Sequence, residues 1–400
     1  MKEKEIIDKY DIVIVGGGPA GVACGIELQK KGISNCIIDK ATFPREKLCG
    51  GLLTEKTYKL LSEICNGVDV FSSTIKGECS DISVYSTYKK KTSVTANTKV
   101  HISERKELDN CLIEYYKSLG GTVYEGEEVI GTIYYNYDED LNAVKVSINE
   151  FEKTVETPNY IFKCKRIVSA EGVHSRLAYN AAYKLESKGF CLEVKIPKSE
   201  LNISDKEIHI FLNVLDNGYA WVFPCGDHYK VGFGNEFDRS IRYREKFKEY
   251  LRGLGISDVE SYNPKGAYVP YGELLKKKKT SIIFIGDAGG YVDAIYGEGL
   301  YMAYYTGQQA AKSIIENIEL ADKLFTKKVS WLKKEIKDGR KIRNFILNGR
   351  RKEFFIKQLE KNKDFFRYYI DKQISKYSYT YKDILKVWVI YNYYKNKKNK

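Results

Sequence analysis

The chain has 400 residues, 43% of them hydrophobic and 30% charged, which suffices for a sizeable core and for two connected domains plus an appendage. No window approaches the roughly 18 consecutive apolar residues of a membrane span, and the charged stretch 1–10 has no signal-peptide core, so a cytoplasmic protein is expected. Nine cysteines without a C-x-x-C pair, and only four histidines, speak against a metal site, an iron–sulfur cluster and a disulfide framework. The net charge of +13 is uneven: residues 321–400 hold 24 Lys and Arg against 8 Asp and Glu, a net +16 that leaves the first 320 residues at −3.

Ile12-Val13-Ile14-Val15 is a run of branched apolar residues and predicts a parallel strand buried on both faces. It stops at Gly16, Gly18 and Gly21, which stand at G-x-G-x-x-G spacing, and a helix over 20–31 follows, closed by Gly32. The first glycine permits the tight turn, the second lets backbone approach a pyrophosphate, and the third lets helix pack on strand. The helix N-terminus offers free amides and a positive dipole end to that pyrophosphate. A second strand, Cys36-Ile37-Ile38, ends in Asp39, eighteen residues after Gly21, where an acid can hold an adenosine ribose hydroxyl. Strand, glycines, helix, strand and acid in this order predict a dinucleotide site; a glycine turn without a ligand is the blander alternative.

The loop from Lys40 to Leu52 is punctuated by Pro44 and by Gly50-Gly51, which let backbone run against a ligand. Within it Arg45 faces either a phosphate or solvent, and Cys49 is either a small buried hydrophobe or a thiol at the ligand. A helical pattern covers 55–64, and alternating segments near 80–88 and 91–100 make a first visit to another sheet. Arg105 opens a helix over 106–118, ended by Gly120-Gly121. Thr122-Val123-Tyr124 and a strand around Val129 return the chain to the first sheet, and 131–166 reads as a β-meander beside the adenine end of the dinucleotide.

A strand over 164–170 runs into Glu171-Gly172, a turn able to place amides on a phosphate. Strands dominate 189–268, where alternation puts Tyr219, Trp221 and Phe223 on one face, as an aromatic core or as a ligand wall. Ser281-Ile282-Ile283-Phe284-Ile285 is a second buried strand, ending in Gly286-Asp287. Gly297-Glu298-Gly299 then starts a helix over 300–315 with Ala303, Gly307 and Ala310 as a strip of small residues, open to close approach by strand or ligand. Two glycine turns nearly 270 residues apart suggest one large bipartite ligand. From 321 onwards helices are expected at 333–347, 352–372 and 382–394, with Trp388 and many other aromatics among the lysines. This segment is either a helical cap or a surface for anionic membrane; lacking a recognisable module, it is not expected to bind nucleic acid.

The succession of G-x-G-x-x-G, Asp39, the Arg105 helix, Glu171-Gly172 and Gly286-Asp287 resembles FAD enzymes of the p-hydroxybenzoate hydroxylase fold over residues 8–320. The resemblance implies an α/β fold (α+β overall) with a Rossmann-like FAD-binding domain, 1–72, 101–186 and 275–320, interrupted by an antiparallel-sheet substrate domain, 73–100 and 187–274. A basic, aromatic-rich helical region, 321–400, follows and lies outside the resemblance. Lys47-Leu48-Cys49-Gly50-Gly51, Tyr219-Ala220-Trp221-Val222-Phe223-Pro224 and Gly297-Glu298-Gly299 resemble the geranylgeranyl reductase branch. In that branch a Y-x-W-x-F-P strand lines the substrate cavity and a Cys-Gly loop lies by the flavin, which implies reduction of isolated carbon–carbon double bonds in isoprenoid chains. Glu171 departs from the Asp usual in the wider fold; it keeps the charge and adds a methylene.

The resemblance assigns cofactor contacts to Gly16, Gly18, Ala20, Gly21, Asp39, Lys40, Arg45, Cys49, Gly50, Arg105, Val129, Glu171, Gly172, Gly286, Asp287, Gly297, Gly299 and Leu300, and catalysis to Cys49, Tyr219 and Trp221. Asp287 can accept a bond from a ribitol hydroxyl, and the amides of Gly299 and Leu300 can face the flavin pyrimidine edge, where a helix dipole favours reduced flavin. Cys49, by the flavin ring, can give a proton as the neutral thiol, a thiol in apolar surroundings being a poor ionised base. An alkene offers no polar handle, so a long apolar pocket walled by Tyr219 and Trp221 is expected. One dinucleotide fingerprint leaves two electron donors open, NAD(P)H bound transiently or a reduced electron-transfer protein. The alternatives are an FAD-dependent monooxygenase or halogenase of the same fold, acting on an aromatic or secondary-metabolite substrate, and a flavin-loaded binding protein without turnover. Halogenases carry W-x-W-x-I-P, from which Tyr219 and Phe223 depart. The substrate itself stays open among prenyl diphosphate, archaeal-type lipid, quinone side chain and secondary metabolite.

Overall fold

Strand Ile12–Val15 is buried at every position because both of its faces are covered. Ile12 and Ile14 pack among residues of helices Pro19–Gln29, Arg105–Ser118 and Leu300–Glu316. Val13 and Val15 pack against a small sheet carrying Val155 and Phe162. The computed structural model describes residues 4–89, 91–130, 153–180, 188–275, 282–346 and 349–375. In it this strand is the centre of a five-stranded parallel sheet, ordered Ile283–Phe284, Arg166–Ser169, Ile12–Val15, Asn35–Asp39, Thr122–Glu125. The covering sheet orders Glu5–Ile7, Tyr160–Cys164 and Lys153–Glu156, so the expected meander is seen from 153 onwards, and 131–152 lie outside the described residues.

The second large sheet has eight strands, in the order Lys265–Val269, Gly189–Pro197, His228–Glu236, Gly218–Cys225, Glu207–Phe211, Ile75–Tyr85, Lys91–Ser103, Leu52–Leu53. The two visits read from the sequence meet where Glu207–Phe211 pairs with Ile75–Tyr85, the one parallel pairing in an otherwise antiparallel sheet. Glu104, just before the Arg105 helix, binds this sheet: its carboxylate lies 2.9 Å from Lys195 Nζ, 3.0 Å from His228 Nε2 and 3.5 Å from Lys230 Nζ. Those neighbours hold the carboxyl well below the usual range despite its burial. The ligand atoms of Glu104, Cys225 and His228 lie within 4.8 Å of one another, but two ammonium groups already satisfy the carboxylate, an arrangement that disfavours a cation.

The described part of the basic region, as far as residue 375, contributes to the core. Helices Ala321–Lys328, Ser330–Ile346, Gly349–Lys361 and Lys363–Ser375 follow one another. The single helix expected over 352–372 is therefore two, divided at buried Asn362, and the helix expected over 382–394 lies outside the described residues. Arg343 is fully buried and donates to Tyr271 O at 3.0 Å and Ala294 O at 3.2 Å while stacking 4.2 Å from the Tyr271 ring. Phe365, Phe366, Tyr369, Ile370 and Ile374 join the cluster containing Ile82, Trp221 and Phe223, and Asp371 Oδ1 accepts from Asn97 N at 2.6 Å. Among the described residues no helix is long and apolar enough to cross a membrane.

At Gly307 the small-residue strip of helix Leu300–Glu316 meets helix Pro19–Gln29, while Ala303 stands beside Gly286 and lines the cavity described below. A Cβ on Gly307 would stand 2.2 Å from Ala20 O, a backbone atom that cannot move aside. Gly307→Ala is therefore expected to destabilise the protein by about 1–3 kcal/mol, the usual cost of overpacking, despite alanine's better helix propensity. A shift of the urea midpoint at unchanged slope measures it.

Candidate active site

The loops 16–18, 39–41, 170–172 and 286–287 leave neighbouring strands at the carboxyl edge of the parallel sheet, where open α/β sheets bind ligands. They open on a cavity of about 880 Å³. Gly16, at φ +104°, lies so close to the next strand that a Cβ would be 2.4 Å from Ala170 O, and a Cβ on Gly21 would be 1.8 Å from Gly16 O. At Gly18 a Cβ would meet only Arg45 Nη2, at 3.5 Å. Gly18 is also the N-cap of helix Pro19–Gln29 and offers no side-chain cap, which leaves the helix amides open to an anion. Arg45 stands beside this turn, 5.1 Å from the Phe43 ring centre, with Nη2 3.5 Å from Asp109 Oδ2.

The acids around this end are fixed by their own surroundings. Asp39 accepts from Gly17 N at 2.7 Å and from Ala41 N at 2.8 Å, so it shapes the glycine turn as well as lining the cavity. Glu171 folds back on its own turn, accepting from Ser175 Oγ at 2.7 Å, Ser169 Oγ at 2.9 Å and Leu177 N at 3.3 Å. Burial nevertheless pushes its carboxyl above the usual range. Arg105 is buried and donates through Nε and Nη2 to the two oxygens of Asp109, both at 2.8 Å. At the second glycine turn, burial likewise pushes the Asp287 carboxyl up. Helix Leu300–Glu316 begins beside it, and a Cβ on its N-cap Gly299 would lie 3.6 Å from Asp287 Oδ1. Between Gly297 and Gly299, Glu298 is held by Lys56 Nζ and Thr54 Oγ1, each at 2.7 Å.

Beyond the Cys49 loop the same cavity becomes an aromatic and aliphatic chamber. Tyr219, Trp221 and Phe223 form one wall with Ile82, Ile208 and Ile210, and Ile370, Gln373 and Ile374 of the tail close it. Trp221 stacks on Phe223 with ring centres 6.1 Å apart and donates through Nε1 to Glu193 Oε2 at 3.0 Å. Tyr219 donates to Tyr296 O. The Cys49 thiol is half-buried and accepts weakly from Gly51 N at 3.4 Å, and a Cβ on Gly50 would lie 2.8 Å from the Phe223 ring. Every site residue expected from the sequence lines this cavity except Gly21, which packs the glycine turn from behind. Sequence reasoning missed Glu193, Cys191 and the tail residues on the cavity wall. Burial pushes the Cys191 thiol up to about 12. The available signal was an acid in the middle of a strand that is otherwise largely apolar; nothing in the tail pattern pointed to the cavity.

A phosphate cradle that a side chain at Gly18 would fill, continuous with a deep apolar chamber, fits a flavin dinucleotide lying across both, as in a flavin-dependent oxidoreductase. Residues 9–234 match the FAD binding domain family, and the chain belongs to it. It is similar to the digeranylgeranylglycerophospholipid reductase of Methanocaldococcus jannaschii, with 27% identity over 334 residues covering 80% of each chain. In fold it is similar to a geranylgeranyl bacteriochlorophyll reductase-like protein from Thermoplasma acidophilum, with a TM-score of 0.73 at 20% identity over 95% of this chain and 96% of the other. The flavin-dependent brominase Bmp2 matches nearly as well, with a TM-score of 0.72 at 16% identity over 97% of this chain and 99% of the other. The resemblance to the geranylgeranyl reductase branch, the FAD cofactor and the oxidoreductase class are thus borne out, while the scaffold alone does not separate reductase from halogenase.

Gly18→Val would place a branched side chain in the cradle with little protein to displace. The variant is expected to fold and to lose FAD, read as the flavin-to-protein absorbance ratio after gel filtration.

Proposed function

We propose that the protein uses FAD to reduce isolated carbon–carbon double bonds of a hydrophobic, isoprenoid chain. The observation that carries this reading is the chamber: aliphatic side chains and a Tyr219–Trp221–Phe223 wall continue directly from the Cys49 loop. Such a lining recognises a chain by area and shape, as an unfunctionalised alkene requires. FAD supplies the hydride and electron chemistry, and the protein supplies position and electrostatics. On this reading Gly16, Gly18, Ala20 and Arg45 hold the pyrophosphate, with Gly21 supporting the turn from behind. Asp39 takes the ribose, and Lys40, Val129, Glu171 and Gly172 border the adenosine half. Gly286, Asp287, Gly297, Gly299 and Leu300 receive the ribitol and flavin ring, Arg105 flanks them, and Cys49 and Gly50 lie against the ring. Segments 73–100 and 187–274 then serve as the substrate domain on an FAD domain made from 1–72, 101–186 and 275–320. Either NAD(P)H or a reduced protein can supply the electrons.

The direct test is anaerobic. Enzyme reduced in the absence of oxygen is expected to be reoxidised by a prenyl-chain alkene, with the saturated product recovered. An oxygenated or halogenated product formed only in air would replace this reading with the monooxygenase or halogenase one. Cys49→Ala is expected to retain FAD and to slow the alkene step about tenfold, equivalent to roughly 1.4 kcal/mol in the transition state; an unchanged rate would remove Cys49 from the site.

The charge of the tail supports docking on the anionic surface from which such a substrate would be drawn. With +16 over residues 321–400, co-sedimentation with anionic vesicles that weakens with salt, and none with zwitterionic vesicles, is expected. Absence of binding would leave this region as a cap alone.

A further inference from the structure

We propose that Glu193 is the proton donor of this site, its carboxyl held on the cavity wall by Trp221 and its proton passed to the substrate carbon. The inference rests on the alkene-reduction reading. Saturating a double bond takes a hydride on one carbon and a proton on the other, and an aliphatic chain brings no acid of its own.

Glu193 lies midway along strand Gly189–Pro197, buried to 7% exposure yet lining the cavity. It pairs with Gly232, which pairs with Trp221 on the next strand, so the three form one row across the sheet. The missing side chain at Gly232, where a Cβ would be 2.4 Å from Trp221 Cζ2, lets the indole lie across the middle strand and donate to Glu193 Oε2. The same oxygen would be 3.7 Å from a Cβ on Gly50, so the carboxyl also borders the Cys49 loop. It therefore stands where the proposed flavin ring and the chamber meet.

The charged and titratable groups around it are Lys230, Lys195, Glu104, Cys191 and the Trp221 N–H donor. Lys230 would stabilise a carboxylate, but its ammonium is engaged by Ser103 O at 2.8 Å and by Glu104 Oε2 at 3.5 Å. Burial prevails and pushes the Glu193 carboxyl above the usual range, which favours the acid form over the carboxylate. Among the other acids lining the cavity, Asp39 is bound by backbone amides, Glu171 by its serines, Glu298 by Lys56, Glu46 by Lys106, Glu127 by Asn159 and Glu128 by Arg176. Asp287 sits at the second glycine turn, beside the start of helix Leu300–Glu316.

In the step proposed, the π bond opens, one carbon receives a hydride supplied by reduced FAD, and the other receives the Glu193 proton. Two C–H bonds form, the flavin is left oxidised, and the carboxylate recovers a proton from solvent. Glu193→Gln separates this role from mere support of Trp221, because the amide oxygen still accepts from the indole but has no acidic proton. With photoreduced holoenzyme and geranylgeranyl diphosphate as the probe, E193Q is expected to retain FAD and its spectrum while reoxidation slows at least about 100-fold; Glu193→Asp, which restores an acid, should recover part of the rate. A difference infrared measurement gives a second readout independent of turnover: a protonated-carboxyl C=O band that shifts in D2O and disappears in E193Q. An E193Q rate equal to wild type, or absence of that band in wild type, would overturn the inference. Wild-type enzyme that the probe does not reoxidise would overturn the reduction reading and the donor role together, and the infrared band would then report only an acid without that task.

Discussion

The site depends on backbone touching backbone at three places. Gly16 lies against Ala170 O, Gly21 against Gly16 O, and Gly307 against Ala20 O. These contacts bring strands Ile12–Val15 and Arg166–Ser169 and helices Pro19–Gln29 and Leu300–Glu316 to separations that no side chain would permit. A methyl group at Gly21 or Gly307 would press on the helix whose first amides face the cavity, and one at Gly16 on the turn that follows strand Arg166–Ser169. The glycine cradle is thus a consequence of close packing behind it as much as of the turn itself.

Much of the dinucleotide half was legible in the sequence because each signal is local. Ile12-Val13-Ile14-Val15, the glycines and Asp39 lie within thirty residues, and each constrains its own backbone. The second turn at Gly286-Asp287 was legible for the same reason, and the parallel sheet then brings the two together. Asp39 shows the limit of such reasoning: its spacing pointed to a ribose, whereas its two oxygens are also spent on Gly17 N and Ala41 N.

What escaped the sequence is non-local. Glu193, Gly232 and Trp221 stand on three strands and meet only through register, so no spacing in the chain encodes the row. The strip at Gly307 was visible as small residues, but its partner, the first helix, lies almost the whole chain away. In the tail, the helical cap is met where Phe365, Phe366 and Tyr369 pack beside Ile82, Trp221 and Phe223, but the lysine-rich pattern gave no sign that Arg343 and Lys352 are buried. A fully buried Arg343 is tolerable because two carbonyls and the Tyr271 ring satisfy it.

Helix Lys363–Ser375 supplies Ile370, Gln373 and Ile374 to the chamber while standing outside every segment that forms the cofactor cradle. The two halves of the cavity are therefore built from separate stretches of the chain. Substitutions in a single late helix can lengthen, shorten or polarise the end of the chamber without disturbing a glycine contact. The same placement means that the far wall of the chamber leaves the ribosome after the strands and helices of the glycine cradle.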